Sequence, residues 1–326
     1  MILVTGGAGF IGSNIVSALC QRGGAVTVCD RLRDNDKWRN IAKAAVADVV
    51  APEELDAWLA AGPRLEAIVH MGAISSTTVT DADLTFDVNV RLSTRLWEWC
   101  AAHDTPFIYA SSAATYGAGE QGFDDADDLE SLLRLRPLNA YGWSKCFFDR
   151  RVAQCVARGE PAPPQWVGLK FFNVYGPNEY HKGSMQSVVA QKFPRLASGA
   201  PITLFTSHDP RYRDGEQLRD FVYVRDCVDV VLWLLGKPRV NGIFNLGTGQ
   251  ARSFADLARA MAAALGVPSR IEHIPMPEAI RPNYQYFTQA NMARLRKSGY
   301  DAPFTSLEEG VRDYVVQFLA KADRYR

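Results

Sequence analysis

The stretch Gly6-Gly7-Ala8-Gly9-Phe10-Ile11-Gly12 constrains this chain more than any other. It stands between a strand pattern, Ile2-Leu3-Val4-Thr5, and a helical one that carries Ile15, Ala18 and Leu19 on a single stripe. A tight turn needs one glycine, close approach of a pyrophosphate a second, and packing of the helix on the strand a third. Gly6, Gly9 and Gly12 meet these needs, and the helix N-terminus then offers free N–H groups and a positive dipole end to phosphate. Asp30 closes the next strand pattern, eighteen residues after Gly12, where a carboxylate meets a ribose hydroxyl. A glycine-rich turn with no ligand is the plain alternative, and the order strand, turn, helix, acid argues against it. A carboxylate at Asp30 repels the extra phosphate of NADP, but Arg31, Arg33 and Lys37 follow within one loop and can neutralise both groups. Charge alone therefore leaves NADP and NAD open.

Short β-rich runs at Ile2–Thr5, Ala25–Asp30, Ala67–His70, Phe107–Ser111 and Val167–Phe172 alternate with stretches long enough for crossover helices. That alternation predicts an α/β fold, a Rossmann-like doubly wound parallel sheet with a smaller C-terminal α/β substrate lobe. After Asn173 the alternation weakens, and His208–Arg219 reads as a polar loop before Phe221–Trp233 and Ile243–Gly249 restore core-like patterning. The dinucleotide domain is expected over 1–172 and 219–248, and a discontinuous substrate lobe over 173–218 and 249–326. Helical periodicity around Leu307–Leu319 closes that lobe. Trp97 and Trp99 fall on one predicted helix, at a spacing that fits a core more often than an interface.

Lys plus Arg and Asp plus Glu are balanced at 36 each, so no global field recruits nucleic acid or an anionic membrane, and an anionic ligand must be held by local charge. The six cysteines are irregularly spaced and lack a C-x-x-C pair, which reads as reduced thiols without a metal or disulfide framework. The chain opens directly on a strand pattern with no basic leader, and its longest apolar run, Val230–Leu235, is too short to span a bilayer. A cytoplasmic small-molecule enzyme is the expectation.

In Tyr141-Gly142-Trp143-Ser144-Lys145, Tyr141 and Lys145 lie four apart, on one face of a helix. The charges of Lys145 and of an oxidised nicotinamide favour the phenolate of Tyr141, lowering a value that is ordinarily near ~10. Tyr141 then takes a proton from a substrate hydroxyl as hydride leaves the same carbon, and Lys145 also binds the nicotinamide ribose. Ser112, at the carboxyl end of a predicted strand, is placed to polarise the forming carbonyl.

Four stretches carry a resemblance: GGAGFIGSN at 6–14, ASSAATYG at 110–117, FFNVYGPNEYHKGSM at 171–185 and YQYFTQA at 284–290. The chain resembles the extended short-chain dehydrogenase/reductases and, within them, is similar over nearly its whole length to the ADP-glyceromanno-heptose 6-epimerases. The resemblance implies inversion at C6 of an ADP-activated heptose, from the D-glycero to the L-glycero form, with tightly held NADP, in a homo-oligomer, on the route to lipopolysaccharide inner core. It also implies that Tyr141 and Lys182 share the proton work. Cofactor contacts carry over to Phe10, Ile11, Asp30, Arg31, Lys37, Asp48, Val49, Met71, Gly72, Ala73, Ile74, Ser75, Asn89, Val174 and Lys182. Substrate contacts carry over to Asn173, Ser184, Phe205, Thr206, Ser207, His208, Arg219 and Tyr284, with Arg219 the candidate diphosphate ligand.

Met71 stands where that family has glutamate, Pro52 where it has lysine, Val88 where it has asparagine and Gln191 where it has histidine. All four bear on substrate identity and cofactor preference. A nucleotide-sugar C4 epimerase or dehydratase would share the glycine turn and the Tyr/Lys pair, but the run His181–Met185 speaks against it. A dinucleotide sensor without turnover is opposed by intact Ser112, Tyr141 and Lys145.

Overall fold

The computed structural model describes residues 1–33 and 35–326, with side chains at all of them except 279, 282 and 283. Among these residues the strands are β1 Ile2–Thr5, β2 Val26–Cys29, β3 Asp48–Val50, β4 Ala67–His70, β5 Phe107–Ser112, β6 Trp166–Phe171, β7 Asn173–Tyr175, β8 Ile202–Phe205, β9 Leu218–Tyr223, β10 Gly242–Leu246, β11 Ala251–Ser253 and β12 Ile271–Ile274. One seven-stranded sheet runs in the order β10-β6-β5-β4-β1-β2-β3, and every pairing in it is parallel. This is the Rossmann-like doubly wound sheet expected from the sequence. The order reverses between β1 and β4, and such reversals open a crevice at the carboxyl ends of the strands.

The central strands of this sheet are buried along their length because both faces are covered. Along β1, Ile2 and Val4 enter one core with Ile15, Val16 and Leu19 of helix Phe10–Gln21 and with Val228, Val231 and Leu234 of helix Val224–Leu235. Leu3 faces the opposite core with Leu96 and Trp97 of helix Leu92–Ala102 and Phe148 and Val152 of helix Ala140–Ala157. Trp97 is a core residue, 3% exposed, while Trp99 stacks on His103 one turn along. A third core unites helices Val188–Ala197, Phe254–Leu265 and Leu307–Tyr314 with β8 and β9. There β9 pairs with β7 and β11, and β8 with β12, in two small sheets. No helix among the described residues is long and apolar enough to cross a membrane.

One buried ion pair stands under the crevice. Asp149 and Lys170 are both 0% exposed and meet at 3.0 Å. Asp149 also accepts from the hydroxyls of Ser111 at 2.7 Å and Tyr109 at 3.2 Å, and Lys170 donates to Thr115 Oγ1 at 2.7 Å. Every polar atom of the cluster is thus engaged, and removing one partner strands a charge in low dielectric. Lys170→Met is expected to lower stability by about 3–5 kcal/mol, read from the shift in the urea unfolding midpoint; an unchanged midpoint would show that the pair carries no such load.

Candidate active site

A cavity of about 600 Å³ opens at the carboxyl ends of β1, β2, β4, β5 and β6. Its floor is the glycine turn. Gly6 has φ +63, and a Cβ there would lie 2.6 Å from the backbone nitrogen of Gly72; a Cβ at Gly12 would lie 2.2 Å from the Gly6 carbonyl oxygen. Only glycine fits at either place. The turn closes through Gly9 N–H to Gly6 C=O at 2.9 Å, and helix Phe10–Gln21 then starts with no side-chain cap and no acid in its first turn. Its amino end is therefore free for an anionic group, and the cavity is of a size to take a dinucleotide.

Asp30 follows β2, lines the cavity, and its carboxylate already accepts three hydrogen bonds. Oδ2 accepts from the Ala8 N–H at 2.9 Å, while Oδ1 accepts from the Arg31 N–H at 2.8 Å and from Lys37 Nζ at 2.6 Å. Arg31 pairs with Glu53 at 2.6 Å. Arg31, Arg33 and Lys37 all line the cavity, as do Gly6, Gly9, Phe10, Ile11, Gly12, Met71, Gly72, Ala73, Ile74, Ser75 and Val174. Asp48 and Val49, by contrast, lie on β3 outside the lining.

Asn139 caps the helix of the Tyr/Lys pair by accepting from the Gly142 N–H at 2.8 Å. Tyr141 and Lys145 both face the cavity, with Ser112 on its wall. The alternation of β5 divides two adjacent serines: Ser111 bonds down to Asp149, whereas Ser112 lies beside Tyr141 and caps the following turn through the Ala114 N–H at 3.1 Å. The expected phenolate rests on the charges of Lys145 and of an oxidised nicotinamide together. Burial raises Tyr141 above its ordinary value and the Ser112 hydroxyl only partly opposes it. Burial also brings Lys145 down to about 8, against an opposing pull from Asp149.

Asn89 does not reach the cavity wall. Its amide clamps the wall from behind, accepting from the Ile74 N–H at 2.8 Å and donating to the Ile74 carbonyl at 2.9 Å and to Ser144 Oγ at 3.0 Å. A π-helical turn, Asp87–Arg91, interrupts the helical run there and includes both buried Asn89 and cavity-lining Val88. A second support, which sequence reading missed, runs through His70. Gly72 N–H donates to Thr5 Oγ1 at 3.2 Å, Thr5 meets His70 Nδ1 at 2.6 Å, His70 Nε2 meets Ser93 Oγ at 2.8 Å, and Ser93 donates to the Asn89 carbonyl at 2.7 Å. The Ser93 proton is committed to Asn89, so Nε2 carries the imidazole hydrogen and Nδ1 accepts from Thr5. The only sign of it in the sequence is a histidine ending an otherwise apolar strand.

The loop after β7 brings Lys182 to the same cavity, its ammonium 5.4 Å from the Phe10 ring centroid. Burial lowers the Lys182 pKa, and Glu179 opposes that shift. Glu179 itself is buried and accepts from Ser187 Oγ at 2.6 Å. His181, also missed, lines the cavity next to Asn40, 3.2 Å away; burial, then Lys37 and Lys182, hold it at about 4.

The substrate candidates lie outside the residues that line this cavity. Asn173 stands between cavity-lining Phe172 and Val174 and accepts from Thr288 Oγ1 at 3.3 Å. Arg219 is 6% exposed, between the rings of Tyr284 at 5.2 Å and Phe254 at 5.6 Å, and donates to the carbonyls of Leu218 and Gln285. Among the described residues it pairs with no carboxylate. Phe205 ends β8, and Thr206, Ser207 and His208 continue from it, with Ser207 N–H on Asp214 at 2.7 Å and His208 N–H on Tyr286 OH at 3.1 Å. Ser184 is exposed, and its carbonyl accepts from Gln191 Nε2 at 3.0 Å. Of the departures from the family pattern, Met71, Pro52 and Val88 line the cavity and Gln191 braces the loop behind Lys182.

Residues 2–247 match the NAD dependent epimerase/dehydratase family. A protein of Fusobacterium nucleatum named ADP-L-glycero-D-manno-heptose-6-epimerase is 46% identical over 100% of both chains. One of the same name from Alkalilimnicola ehrlichii is 44% identical over 97% of this chain and 96% of its own. Among solved structures, the ADP-L-glycero-D-manno-heptose-6-epimerase of Helicobacter pylori superposes with a TM-score of 0.80 at 28% identity, covering 98% of this chain and 96% of its own. The UDP-glucose 4-epimerase of Thermus thermophilus, solved with NAD, gives a TM-score of 0.75 at 29% identity, over 98% and 99%.

The His70 assignment has a pH consequence. Burial, and then the charge of Lys145, push its pKa down to about 3. The unfolded chain binds a proton near pH ~6.5 that the folded chain refuses, so stability falls as pH drops from about 6.5 toward 3, by about 1.4 kcal/mol per pH unit from this residue. His70→Gln is expected to flatten that limb in urea midpoints measured between about pH 7 and pH 5. Parallel slopes for the two proteins would mean that His70 is not held neutral.

Proposed function

This chain belongs to the NAD dependent epimerase/dehydratase family, and from that premise we propose that it converts ADP-D-glycero-D-manno-heptose to ADP-L-glycero-D-manno-heptose, inverting C6 with NADP held in the cavity. The observation that carries this reading is that Tyr141 and Lys182, from two unconnected elements, line one cavity together with Ser112 and the glycine turn. The full-length similarity to proteins named for this reaction supplies the substrate.

A nicotinamide held in this cavity would supply the reversible hydride chemistry at C6. The protein's own groups do the rest. Tyr141 takes the C6 hydroxyl proton, Ser112 donates a hydrogen bond to the oxygen as it becomes a carbonyl, and Lys145 lies one turn from Tyr141 as the cation beside that proton transfer. C6 is exocyclic, so rotation about one bond offers the opposite face of the planar carbonyl. Lys182, its pKa lowered by burial, protonates the C6 oxygen in the rotated pose, and the proton held by Tyr141 passes through solvent to Lys182 to reset both groups. Gly6, Gly9, Gly12 and the helix start hold the pyrophosphate, and Phe10, Ile11 and the 71–75 wall hold the rest of the dinucleotide. Arg219, stacked between Tyr284 and Phe254, binds the sugar-nucleotide diphosphate, with Asn173, Ser184 and Phe205–His208 completing the substrate lobe. NADP is preferred over NAD because Lys37 already neutralises Asp30 and Glu53 offsets Arg31, so that Arg33 adds positive charge to the adenosine end of the cavity. The enzyme acts in the cytoplasm on the way to lipopolysaccharide inner core, as a homo-oligomer.

A proton NMR time course with ADP-D-glycero-D-manno-heptose and purified protein is expected to show the L-glycero epimer with no net NADPH; no conversion by a protein that retains dinucleotide would overturn the substrate assignment. Dinucleotide released on denaturation is expected to be NADP, and NAD in its place would reverse the cofactor preference. Tyr141→Phe should cut turnover by about 10³-fold with cofactor content unchanged, and an unchanged rate would remove Tyr141 from the chemistry.

A further inference from the structure

The loop that carries Lys182 is set from outside itself. Asn178 takes φ 74, a left-handed conformation uncommon for a residue other than glycine, between Gly176 at φ 146 and Gly183 at φ 54. Three buried asparagines hold this loop. Asn14, 0% exposed on the first helix, donates through Nδ2 to the Pro177 carbonyl at 3.0 Å and to the Phe10 carbonyl at 2.9 Å. Asn40, 1% exposed, donates to the carbonyls of Asn178 at 3.0 Å and Ala8 at 2.9 Å. Asn178, 0% exposed, donates to Ser13 Oγ at 3.0 Å. All three tie the glycine turn and its helix to the loop.

A donor on the amide oxygen fixes which way an asparagine is turned; among the described residues the Asn40 oxygen has none, and one residue supplies the donor for each of the other two. The Arg326 N–H donates to Asn178 Oδ1 at 3.1 Å, and the Arg326 guanidinium donates to Asn14 Oδ1 at 3.2 Å. The preceding residues lie along the same loop. The Arg324 guanidinium is 4.3 Å from the Tyr180 ring centroid, Tyr180 donates to the Arg324 carbonyl at 2.8 Å, and the Tyr325 ring meets Tyr180 edge-on at 5.3 Å.

We propose that Arg326, acting through Asn14 and Asn178, is a positioning residue that holds the Lys182 loop in register with the cofactor turn. This rests on the reading of Lys182 as the second proton-transfer group. Removing the guanidinium leaves the Asn14 oxygen without its donor and frees the amide to turn, which loosens the Pro177 contact and displaces Lys182 from its working distance.

The test is a double-mutant cycle on the full chain loaded with cofactor, using Arg326→Ala, Lys182→Ala and the pair, with Arg326→Gln run in parallel to report on the same contact should the alanine variant fail to fold. Arg326→Ala is expected to lower kcat by about tenfold with dinucleotide content unchanged and KM within about twofold, and to cost nothing further in the Lys182→Ala background. Wild-type kcat in Arg326→Ala, or the same fractional loss in both backgrounds, overturns the positioning role while leaving Lys182 in the chemistry. Full activity of Lys182→Ala overturns the role given to Lys182, and the positioning role with it.

Discussion

The whole arrangement depends on how closely two backbones approach at the reversal of strand order. Gly6 and Gly72 leave β1 and β4 side by side with no room for a side chain between them. That contact makes the crevice narrow enough for main-chain N–H groups to line it, and it fixes where the first helix starts. Once it is set, the ends of β5 and β6 and the Tyr141 helix converge on the same cavity.

Buried polar groups then turn a crevice into a site. His70 links Thr5, through Ser93, to Asn89, so one hydrogen-bonded chain joins the residues beside the turn to those behind the 71–75 wall. Asp149 stands one turn beyond Lys145 on the same helix, holds Ser111, and thereby anchors the strand end on which Ser112 sits. Each connection is fully paired in low dielectric, where an orphaned partner is costly, so these networks fix geometry more sharply than apolar packing alone.

The parts legible in the sequence are those whose signal is local. The run from Ile2 through Gly12, the alternation that predicts a parallel sheet, and the four-residue spacing of Tyr141 and Lys145 each express a single element. Motif resemblance extended this to Lys182, which spacing alone would leave as a surface lysine. What stayed hidden depends on residues far apart in the chain. Asn178 meets Ser13 across 165 positions, and nothing near either announces the pairing. β3, with three residues of which two are exposed, is too short and too polar to show an apolar run. Burial, which raises the Tyr141 phenol, depends on the packed neighbourhood, whereas the Tyr/Lys spacing reports only the charge nearby.

Asp30 accepts from the Ala8 main chain as well as from Lys37. The acid conventionally read as the selector of the adenosine ribose is here also a fastener of the phosphate turn. An engineer wishing to exchange one dinucleotide for the other therefore has little freedom at position 30, where a replacement without an acceptor oxygen also unties the turn. Lys37 is the adjustable element: changing it alters the charge presented to the ribose and leaves the fastening in place.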